Sequence, residues 1–460
     1  MFRPSHSHLF GTLAVLVTLS SPAQAQSASQ PIPRRITLQQ AENLLMDRNL
    51  TVLASKYQVD ANRAARLISS YKPNPVLTIG AEQIPFASPI PGSVPRFTTT
   101  NPDAGANPVY TLRIDKIWER GGKRELRTAA ADEQIEASEA QMLDAIRTQL
   151  FQLRRAFTTA ALARENLKLA ESIEQQYAQT EGLTQVKVGQ GDIAKVELYR
   201  VGAGRLQYQQ AVLQARTAYD SSVRDVLNLL GSHEQDIEPS IAQTTSLEPV
   251  LGETQFPDSL RSAPFEIVAD FDDRPVLQSL NELRSKALAE RPDVAAARHL
   301  LAVADRNTQL ALAQRTRDVD TAYEYQRVGS DHSAGVVVQF PLFLSNNQRA
   351  LYTQTDAVKR SAEAQLKQAE LQAITDLEKA YLSYTSTRKV LDLYTAENLG
   401  QLERLRTVAT VSYKEGASSL FELLDAQRAY STAMTAYNQA RSDYQMSLWE
   451  LEQAIGQPLF

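Results

Sequence analysis

Four segments of the chain are predicted to be strands, and the first three of them alternate between apolar and polar side chains. They are residues 76–84, 109–118, 318–327 and 334–344. In the first of them, Leu77 and Ile79 alternate with Thr78 and Gly80. Alternation with a period of two predicts β-strands whose two faces differ in polarity. Each strand is roughly 9–11 residues long, which is the length that crosses a membrane in a β-barrel.

The remaining pattern is helical. Apolar residues recur at mixed spacings of three and four, as at Leu150, Leu153, Phe157, Ala161 and Leu167. This spacing predicts helices that pack on other helices. The predicted helices span about 37–71, 123–187, 192–230, 279–316 with a break at Pro292, 346–413 and 417–455. Two of them would extend roughly 100 Å, at ~1.5 Å per residue.

The chain also contains an internal repeat. Residues 186–191 (VKVGQG) match residues 411–416 (VSYKEG) at an offset of 225. Upstream the offset becomes 242, where Thr37-x-x-Gln40 matches Ser279-x-x-Glu282. Both of these are capping boxes, which begin helices. The first half therefore carries 17 extra residues, in a proline-rich loop between its two strands.

Each half ends in a helical hairpin. Gly191 and Gly416 are the expected turn residues, because glycine suits the end of a helix. Asp192 is the expected cap of the first returning helix, and Ser418 or Ser419 caps the second. The predicted organisation is a signal peptide (1–25), a first repeat (26–232) with its tip near 186–195, a linker (233–278) expected on the outside near the middle, and a second repeat (279–460) with its tip near 411–420.

The composition narrows the class of protein. The net charge of −5 argues against a nucleic-acid binder. With no cysteine in the chain, disulfides, thiolate metal sites and lipidation of a cysteine are excluded. Arg3, the apolar run 9–19 and the A-x-A sequence at 23–25 predict a secretory signal peptide, with a buried N-terminal helix as the alternative.

No later stretch has 18 consecutive apolar residues, so a membrane crossing would require a β-barrel. The alternative is a soluble hairpin with one face on a core. Four strands cannot close a barrel, since the smallest have about eight. A barrel would therefore have to be shared among several copies.

These features together resemble the TolC family of outer-membrane efflux ducts over essentially the whole mature chain. The resemblance rests on the duplicated unit and on GGKR (121–124), RPD (291–293), PLFLSNNQR (341–349) and the Y-x-x-G and L-D-A-Q sequences at 413–416 and 424–427. GGKR and PLFLSNNQR look most like the branch that serves heavy-metal exporters, the CzcC-like and CusC-like ducts.

The resemblance implies a mainly α fold with a membrane β-barrel. Three copies would form a 12-stranded β-barrel, continued by a long α-helical barrel into the periplasm. The partners would be outer-membrane lipid, a periplasmic adaptor and an inner-membrane pump of the resistance-nodulation-division type. The function implied is a passive exit duct in the outer membrane of a Gram-negative bacterium, and heavy-metal cations are one cargo it suggests.

Two acidic residues follow the second hairpin tip. Glu422 and Asp425 are three apart, so they share one helix face. The resemblance places them at the periplasmic entrance, where threefold symmetry would make two rings of carboxylates that favour cations. The plain alternative is a solvated acidic face. The matching positions in the first repeat are Glu197 and Arg200, so the two tips differ.

Other tip residues receive roles from the same resemblance. The expected positions of the turn and of adaptor contact are Gly189, Gly191, Tyr413, Gly416, Leu423 and Leu424. Some relatives place an arginine two residues after the second-tip glycine, where this chain has Ser418. Lys195 and Arg200 are therefore the candidates for a latch of the tip, with Lys414 and Arg428 as further cations on the second tip.

No enzymatic chemistry is expected. GGKR lacks the phosphate-binding pattern, and no Ser- or His-based catalytic constellation is evident. The three histidines of the mature chain lie far apart, so neither a metal site nor a cofactor is expected. The alternatives left open are a type I secretion duct for protein cargo and, in another class, a structural coiled-coil surface protein.

Overall fold

A computed structural model of the 460-residue chain describes residues 32–83, 108–232, 237, 263–269, 271, 273–344 and 348–459. The expected signal peptide, the proline-rich loop of the first repeat and most of the expected linker lie outside the described residues. None of the described helices is long and apolar enough to cross a membrane.

The four expected strands form one antiparallel sheet in the order β2-β3-β5-β6. Its strands are β2 (Val76–Glu82), β3 (Val109–Trp118), β5 (Val319–Val328) and β6 (Asp331–Gln339). The last strand differs from the predicted 334–344. It begins three residues earlier, because Gly329 and Ser330 form a tight turn after β5, and it ends before Pro341, which has no N–H for a ladder.

A second, smaller sheet was missed by the sequence pattern. Strand β1 (Arg35–Thr37) pairs in parallel with β4 (Glu266–Val268). Ile36 and Ile267 are fully buried in the core of the first repeat. The linker is therefore fastened to the first repeat at this point.

Two of the predicted helices are each divided into two shorter helices. The structure has α1 (Leu38–Arg48), α2 (Leu50–Ser70), α3 (Lys123–Gln190), α4 (Lys195–Leu229), α5 (Leu280–Glu290), α6 (Pro292–Ala313), α7 (Arg349–Leu391), α8 (Ala396–Lys414) and α9 (Leu420–Ile455). The predicted helix 37–71 breaks at Asn49, whose side chain caps α2 by accepting from Thr51 N and Val52 N. The break predicted at Pro292 falls at Arg291, which separates α5 from α6.

The predicted helix 346–413 is also wrong as one continuous element. It breaks between α7 and α8, where the hydroxyl of Thr395 accepts from Asn398 N and starts a new helix. The matching position of the first repeat is Ala170, which offers no cap, and α3 runs without a break for 68 residues. Both expected capping boxes, at Thr37 and Ser279, are confirmed.

The protomer is four elements wide along its length. Next to the sheet, the helices pack in the order α2, α3, α6, α7, and towards the hairpin tips in the order α4, α3, α9, α8. Three apolar clusters hold this arc together: one in the first repeat, one in the second, and one at the tips that contains residues of both.

Candidate functional site

The two faces of the four-stranded sheet differ in chemistry. The strand register confirms that the alternation continues from strand to strand, with Arg113 opposite Glu324 and Ile114 opposite Tyr323. We call the face that carries Arg113 the polar face. On it, the Arg113 guanidinium bonds Asp115 at 2.7 Å and Glu324 at 3.4 Å. Arg113 is therefore paired with one carboxylate on its own strand and with one on the neighbouring strand.

The opposite face, which we call the apolar face, exposes large apolar side chains. They are Leu77, Ile79, Leu112, Ile114, Tyr323, Val336 and Val338. At the end nearest the helices, Trp118 donates to Thr321 Oγ1 at 2.9 Å, and the Lys116 ammonium lies 4.2 Å from the Trp118 ring centroid. At the other end lie Tyr110 and Tyr325. An apolar band with aromatic residues at both margins is the pattern of a sheet that faces lipid.

Among the described residues, neither edge of the arc has a partner. Strands β2 and β6 each pair on one side only. Helices α4 and α8 are the edge helices at the tips, and each exposes an apolar stripe at helical spacing. The stripes are Val196, Tyr199, Leu206 and Leu213 on α4, and Leu405, Val408 and Val411 on α8. Open strand edges normally require cover, and the described sheet has one at each side.

The hairpin tips turn at the two expected glycines. Gly191 and Gly416 have φ values of 84° and 80°, a left-handed conformation that glycine adopts without a steric penalty. The expected cap at Asp192 is wrong: α4 begins after Ala194, which makes no side-chain capping bond. In the second tip Ser419 caps α9.

Glu422 has a local role as well as its predicted one. Its carboxylate accepts from Ser419 N at 3.2 Å and completes the capping box of α9. Glu422 and Asp425 are both exposed on one face of α9. In the first tip Glu197 instead bonds Arg200 at 3.1 Å, so only the second tip presents two acids without such a pair among the described residues.

Two of the expected contact residues point inwards. Tyr413 and Leu423 are 3% and 1% exposed, in the cluster that joins the two tips. The burial of Tyr177 in the same cluster, beside Tyr208, raises the pKa of its phenol well above the ordinary value. Leu424 is half-buried, and Gly189, Gly191 and Gly416 are exposed.

The structure adds a link between the tips that the sequence did not reveal. The Lys187 ammonium donates to Tyr413 O at 2.7 Å and lies 4.7 Å from the Tyr413 ring centroid. The Tyr413 hydroxyl is 2.9 Å from Thr184 Oγ1. These contacts join α3 to α8 across about half of the chain, and no local sequence signal marks them.

The expected latch residues lie nearby but are placed differently. Lys195 is exposed at the start of α4, and Arg200 is held by Glu197 on its own helix. Arg200 and Lys187 both line a cleft between the two tips. Within the described residues, no group of three or more His, Asp or Glu side chains is placed to hold a metal ion.

The sequence and the fold both resemble those of known proteins. Residues 283–457 match the model of the family described as "Outer membrane efflux protein". Over 309 residues the chain is 23% identical to the alkaline protease secretion protein AprF of Pseudomonas aeruginosa; the match covers 64% of this chain and 58% of AprF.

Solved structures match over a longer range. The outer-membrane channel OprN superposes with a TM-score of 0.69 at 19% identity, covering 92% of this chain and 90% of OprN. CusC, solved in a study of transmembrane channel formation, gives 0.68 at 15% identity, covering 91% of this chain and 92% of CusC. The chain therefore has the fold of these TolC-like outer-membrane channels, and its second repeat carries the sequence pattern of the outer membrane efflux proteins.

Proposed function

We propose that the chain is one third of a passive exit duct in the outer membrane of a Gram-negative bacterium, and that it belongs to the outer membrane efflux proteins over its full mature length. The observation that carries this proposal is the open arc: a four-stranded sheet with an exposed apolar face continues into four helices. In the described part of the chain, both the sheet and the helices end in unpaired edges. Three copies side by side give 12 strands, enough to close a barrel.

The geometry of the edges supports a closed ring. One edge of each protomer comes from the first repeat (β2, α2 and α4), and the other comes from the second repeat (β6, α7 and α8). Contact between unlike edges is a heterologous interface, which closes into a ring when the rotation per copy divides a full turn. The polar face of the sheet would then line the lumen and the apolar face would meet lipid.

Transport through this duct needs no chemistry from the chain itself. Energy would come from an inner-membrane pump of the resistance-nodulation-division type, through a periplasmic adaptor at the hairpin tips. The exposed tip residues Gly189, Gly191, Gly416 and Leu424 are the adaptor-contact positions in this proposal. Tyr413 and Leu423 would support the tip from within, because their side chains are buried.

Opening of the entrance would separate the tips. The contacts of Lys187 and Thr184 with Tyr413 must break if α3 and α8 move apart, so they would hold the closed state. Arg200 lines the tip cleft, and Lys195 is exposed at the start of the same helix, so in this proposal both would contribute to contacts between copies.

Glu422 and Asp425 would form the acidic rings of the entrance. The test is block of the single-channel current by divalent cations in Glu422→Gln/Asp425→Asn, since glutamine retains the capping box while removing the charge. Glu197→Gln, in the first tip, is the matched control. The proposal expects block to be lost only in the double variant; equal block in all three proteins would remove these residues from the entrance.

Two classes of cargo are candidates for this duct. Heavy-metal cations are favoured by the likeness of GGKR and PLFLSNNQR to the heavy-metal branch, although OprN and CusC superpose equally well. A type I secretion duct for protein is favoured by the match to AprF, a secretion protein. Sensitivity of a deletion strain to divalent metals, against loss of a secreted protein, separates the two.

Disulfide cross-linking tests the ring directly, because the natural chain has no cysteine. Leu206 on α4 and Leu405 on α8 lie at similar distances from the tips and are both exposed. Oxidation of Leu206→Cys/Leu405→Cys should give bands of one, two and three chains and nothing larger. Leu206→Cys alone is the control and should stay at one chain. A ladder that continues beyond three chains would contradict the closed trimer.

A further inference from the structure

The sheet sorts its charges by face. In the described strands every carboxylate lies on the polar face: Glu82, Asp115, Asp320, Glu324 and Asp331. Apart from tyrosines, the ionisable residues of the apolar face are all basic: Lys116, Arg327 and His332. Because adjacent residues alternate in direction along a strand, this separation follows from the register and not from the choice of rotamers.

Two of the three basic groups lie together at the margin farthest from the helices. Arg327 and His332 are direct partners across β5 and β6, and Tyr110 pairs with Arg327 on its other side. Both basic side chains are exposed. Lys116 lies at the opposite margin, where the Trp118 ring already engages its ammonium.

The neighbours of this pair bring no negative charge to the Arg327 guanidinium. Arg327 Nε donates to Gly329 O at 3.0 Å, and the Tyr325 hydroxyl bonds His332 Nδ1. Neither contact brings a negative charge. Asp331 is next in sequence to His332 but points to the polar face. In the part of the chain that the structure describes, Arg327 has no ion-pair partner.

We infer that Arg327 and His332, with Tyr110 and Tyr325 beside them, form a binding surface for the phosphate of an anionic lipid headgroup in the leaflet farthest from the helices. This inference rests on the proposed function, because it requires the apolar face to meet lipid. A guanidinium at the margin of an apolar band reaches the headgroup layer, where it pairs well with phosphate.

The lipid source, and not free phosphate, fits the position of the pair. The basic groups border the exposed band that contains Tyr323, Val336 and Val338, so a ligand there contacts apolar side chains and cations at once. A phospholipid offers acyl chains to the band and a phosphate to the cations, whereas inorganic phosphate uses only the second part.

The test compares the retention of phosphatidic acid and phosphatidylcholine of matched acyl chains by the full-length trimer, measured by native mass spectrometry. A basic group at a membrane surface contributes about 1 kcal/mol, roughly a fivefold preference per group. Wild type should prefer phosphatidic acid by at least that factor. Arg327→Gln/His332→Gln should lose the preference, while Arg327→Lys should retain most of it.

Controls make each outcome decisive. Arg404→Gln removes one charge on α8, far from the sheet, and should keep the preference. An unchanged preference in the double variant overturns the inference, and so does a preference abolished by excess inorganic phosphate, which would indicate a small-anion site. If wild type fails to float with lipid vesicles, the proposed function fails too; flotation without headgroup preference overturns only the lipid site.

Discussion

The two repeats break their first helix at the same point with different side chains. Asn49 and Arg291 are 242 positions apart, and their backbone angles nearly coincide: φ −62° and ψ 121° against φ −64° and ψ 123°. Each side chain donates to a carbonyl near the end of the returning helix of its own repeat. Asn49 Nδ2 bonds Leu229 O at 2.8 Å, and Arg291 Nη1 bonds Ala454 O at 3.4 Å.

The chemistry at the two breaks is nevertheless different. Asn49 is neutral and caps α2 with its own oxygen. Arg291 is 3% exposed and forms ion pairs with Asp293 at 2.7 Å and Asp376 at 3.2 Å. The duplicated architecture thus depends on the shape of this junction, and either a neutral amide or a buried ion pair can supply it.

The largest loss of stability is expected when the buried guanidinium of Arg291 is removed. Arg291→Met removes the buried cation that Asp293 and Asp376 share and leaves only Arg147, 3.9 Å from Asp293, near them. Removal of one partner from a buried pair costs about 3–5 kcal/mol. Asn49→Ala removes hydrogen bonds and a cap and should cost less, about 1–3 kcal/mol. Thermal unfolding followed by circular dichroism measures both. Arg284→Met, at an exposed position of α5, is the control; equal losses at 49 and 291 would contradict the distinction.

The glycines that follow the returning helices should rank by the space around them. Gly231 and Gly456 both have positive φ, but an added Cβ would lie 2.7 Å from Arg48 O in the first case and 3.2 Å from Arg291 Cα in the second. Gly231→Ala should therefore destabilise more than Gly456→Ala.

Gly416→Ala supplies the baseline for that ranking. An added Cβ at this position would meet nothing within 4 Å. The loss of stability in Gly416→Ala should therefore come only from the left-handed backbone conformation, about 1–2 kcal/mol. Chemical denaturation of the three variants measures the order. If Gly416→Ala cost as much as Gly231→Ala, the close approach to Arg48 would have no energetic consequence.

Substitutions at the two N-cap positions of the tips should change stability in opposite directions. Ser419→Ala removes a capping box and should cost about 1 kcal/mol, whereas Ala194→Ser introduces a cap where none exists and should stabilise α4 by a fraction of that amount. Hydrogen exchange of residues 195–200 and 420–425 reads each helix start separately. Loss of protection after both changes would contradict the assignment of the caps.

Acid should destabilise the junction between α5 and α6 at Arg291 and leave the junction between α1 and α2 at Asn49 unchanged. Burial acts to raise the pKa of Asp293, but the hydrogen bonds and charge of Arg291 outweigh it and lower the pKa below the ordinary 3.8. The stability that this carboxylate contributes is present above that value and is lost as pH falls through the lower folded pKa.

Asn49 does not titrate, so the two breaks can be compared in one experiment. Hydrogen exchange, corrected for intrinsic rates, should show residues 292–297 losing protection between about pH 4 and pH 2. Residues 50–55 should lose less over the same range. Equal losses in the two segments would mean that Asp293 does not carry the acid dependence.

Local sequence pattern was sufficient for the elements that have a local cause. The first three strands of the large sheet, the two capping boxes and the turns at Gly191 and Gly416 follow from alternation, cap chemistry and backbone freedom. The break at Asn49 has a local signal too, since asparagine is a good N-cap. It was missed because the apolar periodicity continues across it.

Features that depend on distant parts of the chain could not be predicted in this way. The contact of Lys187 with Tyr413 joins residues 226 positions apart. Leu423 was expected on the outer tip, but it is buried because α3 and α8 pack against α9 there and enclose it in the tip cluster. The exposed stripes of α4 and α8 become informative only when the order of the helices shows that both are edges.

Single-channel recording in planar bilayers tests the central claim, a passive duct, most directly. The purified trimer should give discrete current steps, small in wild type if the contacts of Tyr413 hold the tips closed. Lys187→Met/Tyr413→Phe removes the ammonium and the hydroxyl from those contacts and should give larger steps. Absence of current from both proteins, once each is shown to be trimeric and inserted in the bilayer, would contradict the duct.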